Sequence, residues 1–142
     1  MRKLFVCFVL LLCFVDLKAT HIMGGEITWE CIKDPNDPNV GKYIFKMKVY
    51  RDCDGTTLST FTQTIDVWNH PSITQITLDF VLNSDISPDC DVQNSGNPAL
   101  DCATNPVGAV EEYIYVSQPV SLPGVPPVNG WHFTWDSCCR NG

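Results

Sequence analysis

The chain has 142 residues, enough for one domain, with 9 basic and 16 acidic residues and a formal charge of −7. An acidic surface repels a phosphate backbone, and Lys46 and Lys48 are too few to form a basic stripe, so nucleic acid is not an expected partner. Eight cysteines and a near absence of helical periodicity point instead to an exported, all-β chain.

Arg2 and Lys3 precede an uncharged apolar run from Leu4 to Val15, and Leu17-Lys18-Ala19 offers a small residue for cleavage. That order predicts a signal-peptide helix over 1–19 and a mature module over 20–142. The run is too short to span a bilayer, which takes about 20 apolar residues. Removing it takes away Arg2, Lys3, Lys18 and Asp16, which leaves 6 basic and 15 acidic residues and a charge of −9. No stretch of spanning length follows, so the mature chain is expected to carry no transmembrane segment. The expected location is outside the cell, secreted or at the cell surface.

The first predicted strand covers 23–31. Met23, Gly25, Ile27, Trp29 and Cys31 share one face, with Glu26, Thr28 and Glu30 on the other. Asp34-Pro35-Asn36-Asp37-Pro38-Asn39 then reads as a turn. The second strand, 43–53, alternates Tyr43, Phe45, Met47, Val49, Arg51 and Cys53 against Lys46 and Lys48, and should pair with the first as a hairpin. Further strands are predicted at 60–68, 73–82, 110–117 and 131–139, with Asp54-Gly55 and the Pro123–Gly130 connector as breaks. Short alternating strands with such breaks predict an immunoglobulin-like antiparallel β-sandwich, incomplete at its C-terminal end. On the last strand Trp131, Phe133 and Trp135 share a face and are expected in the core with Trp29.

The stretch 83–108 is rich in Asp, Asn, Pro, Gly and Ser and shows no clear strand. A structureless loop of that length is unusual in a compact domain. A bridge between Cys90 and Cys102 is the economical way to close it, worth about 3 kcal/mol on the chain-entropy relation. Four mature cysteines then remain: Cys31, Cys53, Cys138 and Cys139. In the predicted hairpin Cys31 and Cys53 lie at opposite ends, some ~30 Å apart at about 3.3 Å per residue, too far to bond to each other. Each is expected to take one member of the Cys138-Cys139 pair, in either assignment. A zinc site is not expected, because there is no C-x-x-C pair and His21, His70 and His132 show no ligand spacing.

Asp52-x-Asp54-Gly55, and the oxygens of Asp34, Asn36, Asp37 and Asn39, offer at most a weak calcium site. Neither run supplies six oxygens in order with a closing bidentate carboxylate. No Gly-x-Ser-x-Gly elbow is present and no histidine sits in a catalytic motif. No catalytic residue, cofactor or enzyme activity is therefore expected. His21 and His132 read as strand-face residues and His70, before Pro71, as a turn. Trp68 is out of phase with Ile65 and Val67, which makes it the candidate exposed ligand contact.

Three segments in order carry a resemblance: Thr20-His21-Ile22-Met23-Gly24-Gly25-Glu26-Ile27-Thr28-Trp29-Glu30-Cys31; Tyr43 to Cys53, ending Val49-Tyr50-Arg51-Asp52-Cys53; and Val110-Glu111-Glu112-Tyr113-Ile114-Tyr115 with the terminal Cys138-Cys139-Arg140-Asn141. Together they resemble the N-terminal module of large exported surface proteins of gliding and related Bacteroidetes. Members of that family often end in a gliding-motility-associated, type IX secretion sorting domain. The resemblance implies a non-catalytic interaction module of a cell-surface adhesin, serving attachment or gliding, with an extracellular glycan or protein as partner. It also implies that the 142 residues belong to a longer protein. The family pattern places a cysteine just before Val-Glu-Glu, where this chain has Ala109. Cys102 thereby loses its usual partner, with Cys90 as the substitute. The alternative function is a carbohydrate-binding module of a secreted polysaccharide-degrading protein, with Trp68 as its support.

Overall fold

The computed structural model describes residues 22–88 and 99–137. The expected signal peptide, His21, Cys90, Cys138 and Cys139 lie outside the described residues.

Among the described residues six strands form, all antiparallel: β1 (Ile22–Cys31), β2 (Tyr43–Asp52), β3 (Gln63–Trp68), β4 (Gln75–Asp85), β5 (Val110–Ser117) and β6 (His132–Thr134). There is no helix among the described residues. The predicted hairpin is present, with Cys31 opposite Tyr43, Trp29 opposite Phe45 and Gly25 opposite Val49. Gly25 is needed there, because a Cβ would sit 2.8 Å from the Lys48 carbonyl oxygen on β2. Beyond Gly24 the register slips by one residue at a bulge, bringing Ile22 opposite Arg51.

The strands form one continuous sheet in the order β1-β2-β5-β4-β3-β6. The sheet curls so far that it is nearly a barrel. Its concave side holds Phe45, Met47 and Val49 of β2, Ile65 and Val67 of β3, Ile76 and Leu78 of β4, and Tyr113 and Tyr115 of β5. These are the alternate residues of each strand, as a period-2 pattern with one wet face requires. Burying each such side chain contributes about 1.5–3 kcal/mol. Phe133 reaches across from β6 to stack on Phe45 of β2, ring centroids 4.7 Å apart, which brings the last strand round toward the first.

Among the described residues β6 is short: His132, Phe133 and Thr134 pair with Trp68, Val67 and Asp66 of β3. The sequence predicted a strand over 131–139. The bridge between Cys53 and Cys102 corrects the expected cysteine pairing. Cys102 is not joined to Cys90, and Cys53 does not seek Cys138 or Cys139. The reason is local packing. Asp85 at the end of β4 accepts hydrogen bonds from Cys102 N (2.7 Å) and Ser87 N (2.8 Å). Ser87 Oγ in turn accepts from Val110 N (3.0 Å), and Cys53 N donates to Ala109 O (3.0 Å). The loop is thus folded back onto the end of β2, with Cys53 and Cys102 Cα atoms 5.1 Å apart. Cys31 has no disulfide partner among the described residues, and its expected pairing with Cys138 or Cys139 lies outside them.

Candidate functional site

The two edge strands of the curled sheet, β1 and β6, face each other without forming a ladder. In an antiparallel pair each residue directs its N–H and its C=O to the same side, and successive residues alternate. Phe45 N donates to Ser117 Oγ and Tyr43 exchanges two hydrogen bonds with Val120, so both point away from β1. Their β1 partners Trp29 and Cys31, and by alternation Ile27 and Gly25, therefore aim their backbone groups away from β2. On the other side Val67 N donates to Thr74 O, away from β6. Its partner Phe133 accordingly aims its own backbone groups outward. The backbone groups of Gly25, Ile27, Trp29 and Cys31 on β1 and of Phe133 on β6 thus look into one seam.

The seam is a hollow rather than a contact. A cavity of about 440 Å³ is lined by Ile22, Gly24, Gly25, Glu26 and Ile27 of β1, Met47, Lys48 and Val49 of β2, and 133–136. A second of about 320 Å³ lies against Ile27, Trp29 and residues 131–134. The two share Ile27, Phe133 and Thr134. Strand direction alternates along the sheet, so β6 runs opposite to β1: Trp131 enters beside Trp29, and the chain leaves at Asp136 toward Ile22.

Trp29 was expected in the core and is 59 % exposed. Its phase is right, since it faces inward with Ile27, but none of the described residues covers that face, because among them β1 is an edge and β6 is short. Its ring lies 5.9 Å from that of Phe133. Trp131, Phe133 and Trp135 are half-buried. Trp68 is 55 % exposed, as expected of its phase, and its Nε1 donates to Thr134 Oγ1 (2.9 Å) on the neighbouring β6. Trp68 and the seam lie on opposite sides of β6, so the structure does not bring Trp68 and Trp29 together.

The rim of the seam is acidic. Glu26 and Glu30 project from the outer face of β1 and Asp136 follows β6, all three exposed. Lys48 is occupied by Glu112 (2.9 Å) and Glu26 (3.7 Å), and the hydrogen bond it donates to Glu112 leads the causes that raise its pKa.

The histidines divide. His132 is exposed, with Nε2 2.7 Å from Asn129 O. His70 is buried in the turn it was expected to mark; its Nδ1 accepts from Ser72 N (3.2 Å) and Ile73 N (3.0 Å), and its ring stacks on Trp131. Asp34, Asp37 and Asp52, the candidate calcium oxygens, each accept from the backbone N–H two residues on. This is turn chemistry. No group of three or more His, Cys, Asp or Glu side chains among the described residues is disposed to hold a metal ion.

Arg51 was placed on the inward face but given no role. It is 5 % exposed, and its Nε and Nη2 donate to Glu111 Oε2 at 2.8 and 2.7 Å across the β2–β5 ladder. Nη1 donates to the carbonyls of Asp52 (3.0 Å) and Gly55 (2.9 Å), while Asn83 holds the other Glu111 oxygen. The signal for this pair was an arginine in apolar phase on β2 and a glutamate in the register-matched position of β5. It anchors the Cys53–Cys102 end of the fold and lines neither of the two hollows of the seam.

Comparison with protein-family models, with curated proteins and with solved structures returns no match to this chain. No helix among the described residues is long and apolar enough to cross a membrane.

Proposed function

We propose that the chain is a non-catalytic interaction module of an exported cell-surface adhesin, serving attachment or gliding, with the β1–β6 seam as its contact surface. The observation that carries this reading is the seam itself: an apolar, aromatic hollow on an otherwise acidic module, flanked by outward-facing backbone groups. Exposed apolar hollows of this kind mark interaction sites more often than chance surface. The Cys53–Cys102 bridge suits a module that must stay folded outside the cell. The resemblance of the 20–31, 43–53 and 110–115 segments to surface-protein modules of gliding Bacteroidetes supports the same reading.

An immunoglobulin-like frame also fits. The order β1-β2-β5-β4 follows the A-B-E-D sheet of the constant-type sandwich, and β3-β6 follows C-F. The exposed Trp68 favours a second reading, a carbohydrate-binding module.

Beads coated with the chain, produced by export so that the bridge forms, separate the two. Retention on protein-coated surfaces that falls with Trp29→Ala supports the adhesin reading. Retention on glycan-coated surfaces that falls only with Trp68→Ala supports the carbohydrate reading. Equal retention of coated and bare beads removes both.

A further inference from the structure

We infer that the outer face of β3 and its two neighbours is a binding site for a neutral sugar ring. Trp68 is the stacking plane, and Asp66, Gln75, His132 and Thr134 are its hydrogen-bonding surround. This inference rests on the carbohydrate reading that Trp68 favours, and names the class of sugar and the side chains that take it.

Three observations carry it. The first is register. Ile65 and Val67 are buried on the inner face, so Asp66 and Trp68 point outward. On β6, His132 lies opposite Trp68 and Thr134 opposite Asp66; on β4, Gln75 lies opposite Asp66. Directly opposed Cβ atoms stand about 5 Å apart and diagonal neighbours about 7–8 Å, within reach of an indole. The sheet thus gathers one aromatic ring and four polar side chains on a single patch.

The second is rigidity. Trp68 is 55 % exposed, yet its Nε1 donates to Thr134 Oγ1 (2.9 Å), which holds the ring in place. Gln75 Nε2 donates to Asp66 Oδ1 (3.0 Å). His132 Nε2 donates to Asn129 O (2.7 Å), so Nδ1 of the neutral imidazole is an acceptor. Asn69 Nδ2 donates to Gly130 O (3.3 Å) and ties the end of β3 to the approach of β6. Side chains already held lose little freedom when a ligand settles on them.

The third is what the patch excludes. β3 is paired on both sides, so an added peptide strand finds no open backbone there. No lysine or arginine lies between Arg51 and Arg140, so β3, β4 and β6 carry neither, and an anionic ligand would meet Asp66 uncompensated by them. A wholly apolar partner would strip water from the polar surround and return no hydrogen bonds. A neutral sugar meets each condition: an apolar C–H face for the indole, and hydroxyls that both donate and accept around it.

The test uses the full exported chain. Its probes are short neutral oligosaccharides of glucose, galactose, mannose and xylose, and an acidic one of galacturonic acid. Binding is read by titration calorimetry and located by the NMR shift of the Trp68 indole N–H, assigned by its loss in Trp68→Phe. The expected result is saturable binding of at least one neutral oligosaccharide with movement of the Trp68 signal. Trp68→Ala should weaken it at least about tenfold, with part regained in Trp68→Phe, and Asp66→Asn should weaken it comparably. Neutral-sugar binding that leaves the Trp68 signal in place, or survives both Trp68→Ala and Asp66→Asn, would overturn the inference. Binding of the galacturonic acid probe as tight as any neutral one, and lost in Trp68→Ala, would remove the neutral class and leave the carbohydrate reading standing. Binding of no probe would remove both, while bead retention that depends on Trp29 would still support the adhesin.

Discussion

Trp29 of β1 and Phe133 of β6 stand with ring centroids 5.9 Å apart, across a seam that no ladder between their strands closes. The two residues differ in what they hold. Phe133 also stacks on the fully buried Phe45, whereas Trp29 is mostly in solvent. Replacing Trp29 with alanine should therefore cost about 0.5 kcal/mol or less of stability, as a surface substitution does. Phe133→Ala should cost roughly 2–3 kcal/mol, somewhat below a fully buried phenylalanine. Urea unfolding of the two variants checks the difference, and equal costs would place Trp29 under cover.

The Arg51–Glu111 pair is nearly buried, and Arg51 also fixes the carbonyls of the 52–55 turn. Removing either partner strands the other away from water, so Arg51→Ala or Glu111→Ala should cost about 3–5 kcal/mol. Arg51→Lys should recover little of this, because an ammonium cannot reproduce the planar fork that serves the carboxylate and two carbonyls together. Denaturant midpoints of the three variants decide it.

The Cys53–Cys102 bridge spans a sequence separation of 49. On the chain-entropy relation a loop of that size contributes about 4 kcal/mol. The double variant Cys53→Ser, Cys102→Ser should lose roughly that amount, and non-reducing peptide mapping of the parent should recover the 53 and 102 peptides linked. A map linking 90 to 102 would contradict the structure.

Asp85 has its pKa lowered, first by the hydrogen bond from Cys102 N and then by those from Ser87. A carboxyl depressed in the folded state adds stability above its unfolded pKa and loses it as pH falls through the folded one. The protection of the Cys102 and Ser87 amides, taken relative to their intrinsic exchange rates at each pH, should accordingly fall as pH drops below the ordinary carboxylate range. Asp85→Asn should show the lower protection already at neutral pH.

Burial pushes the Tyr115 phenol up to about 12. Its hydroxyl donates to Ser59 O (2.7 Å). A phenol raised in the folded state favours folding below its unfolded pKa, so stability should fall as pH rises from about 10 toward 12. Tyr50 and Tyr113 are also raised by burial, so tyrosinate absorbance should show Tyr115 as the last group to titrate, and that last step should vanish in Tyr115→Phe.

Much of the fold was legible in the chain. Alternation in 43–53 and 110–117 located β2 and β5 to within a residue, because both strands have one face fully buried and the period-2 signal is then strong. The same signal put Trp29 in phase with Ile27 but could not report that β1 is an edge facing a short strand, which depends on how far the sheet curls. Within the described residues the predicted strand 131–139 is shorter for the same reason: Trp131, Phe133 and Trp135 alternate as a strand would, yet of 131–137 three residues find a partner on β3. The cysteine pairing was missed because it follows from Asp85 gathering Cys102 against β2, a contact between segments distant in sequence. The seam was invisible for a related cause, since it is made of outward-facing backbone groups, which no side-chain pattern marks.

The most direct test is residue-resolved amide hydrogen exchange along β1 in the exported chain alone. An open seam predicts alternation: Glu26, Thr28 and Glu30, whose N–H groups bond to β2, exchange slowly, while Ile27, Trp29 and Cys31 exchange quickly. Uniformly slow exchange along β1 would mean that the edge is already paired, and would contradict the account of the seam as an open contact surface.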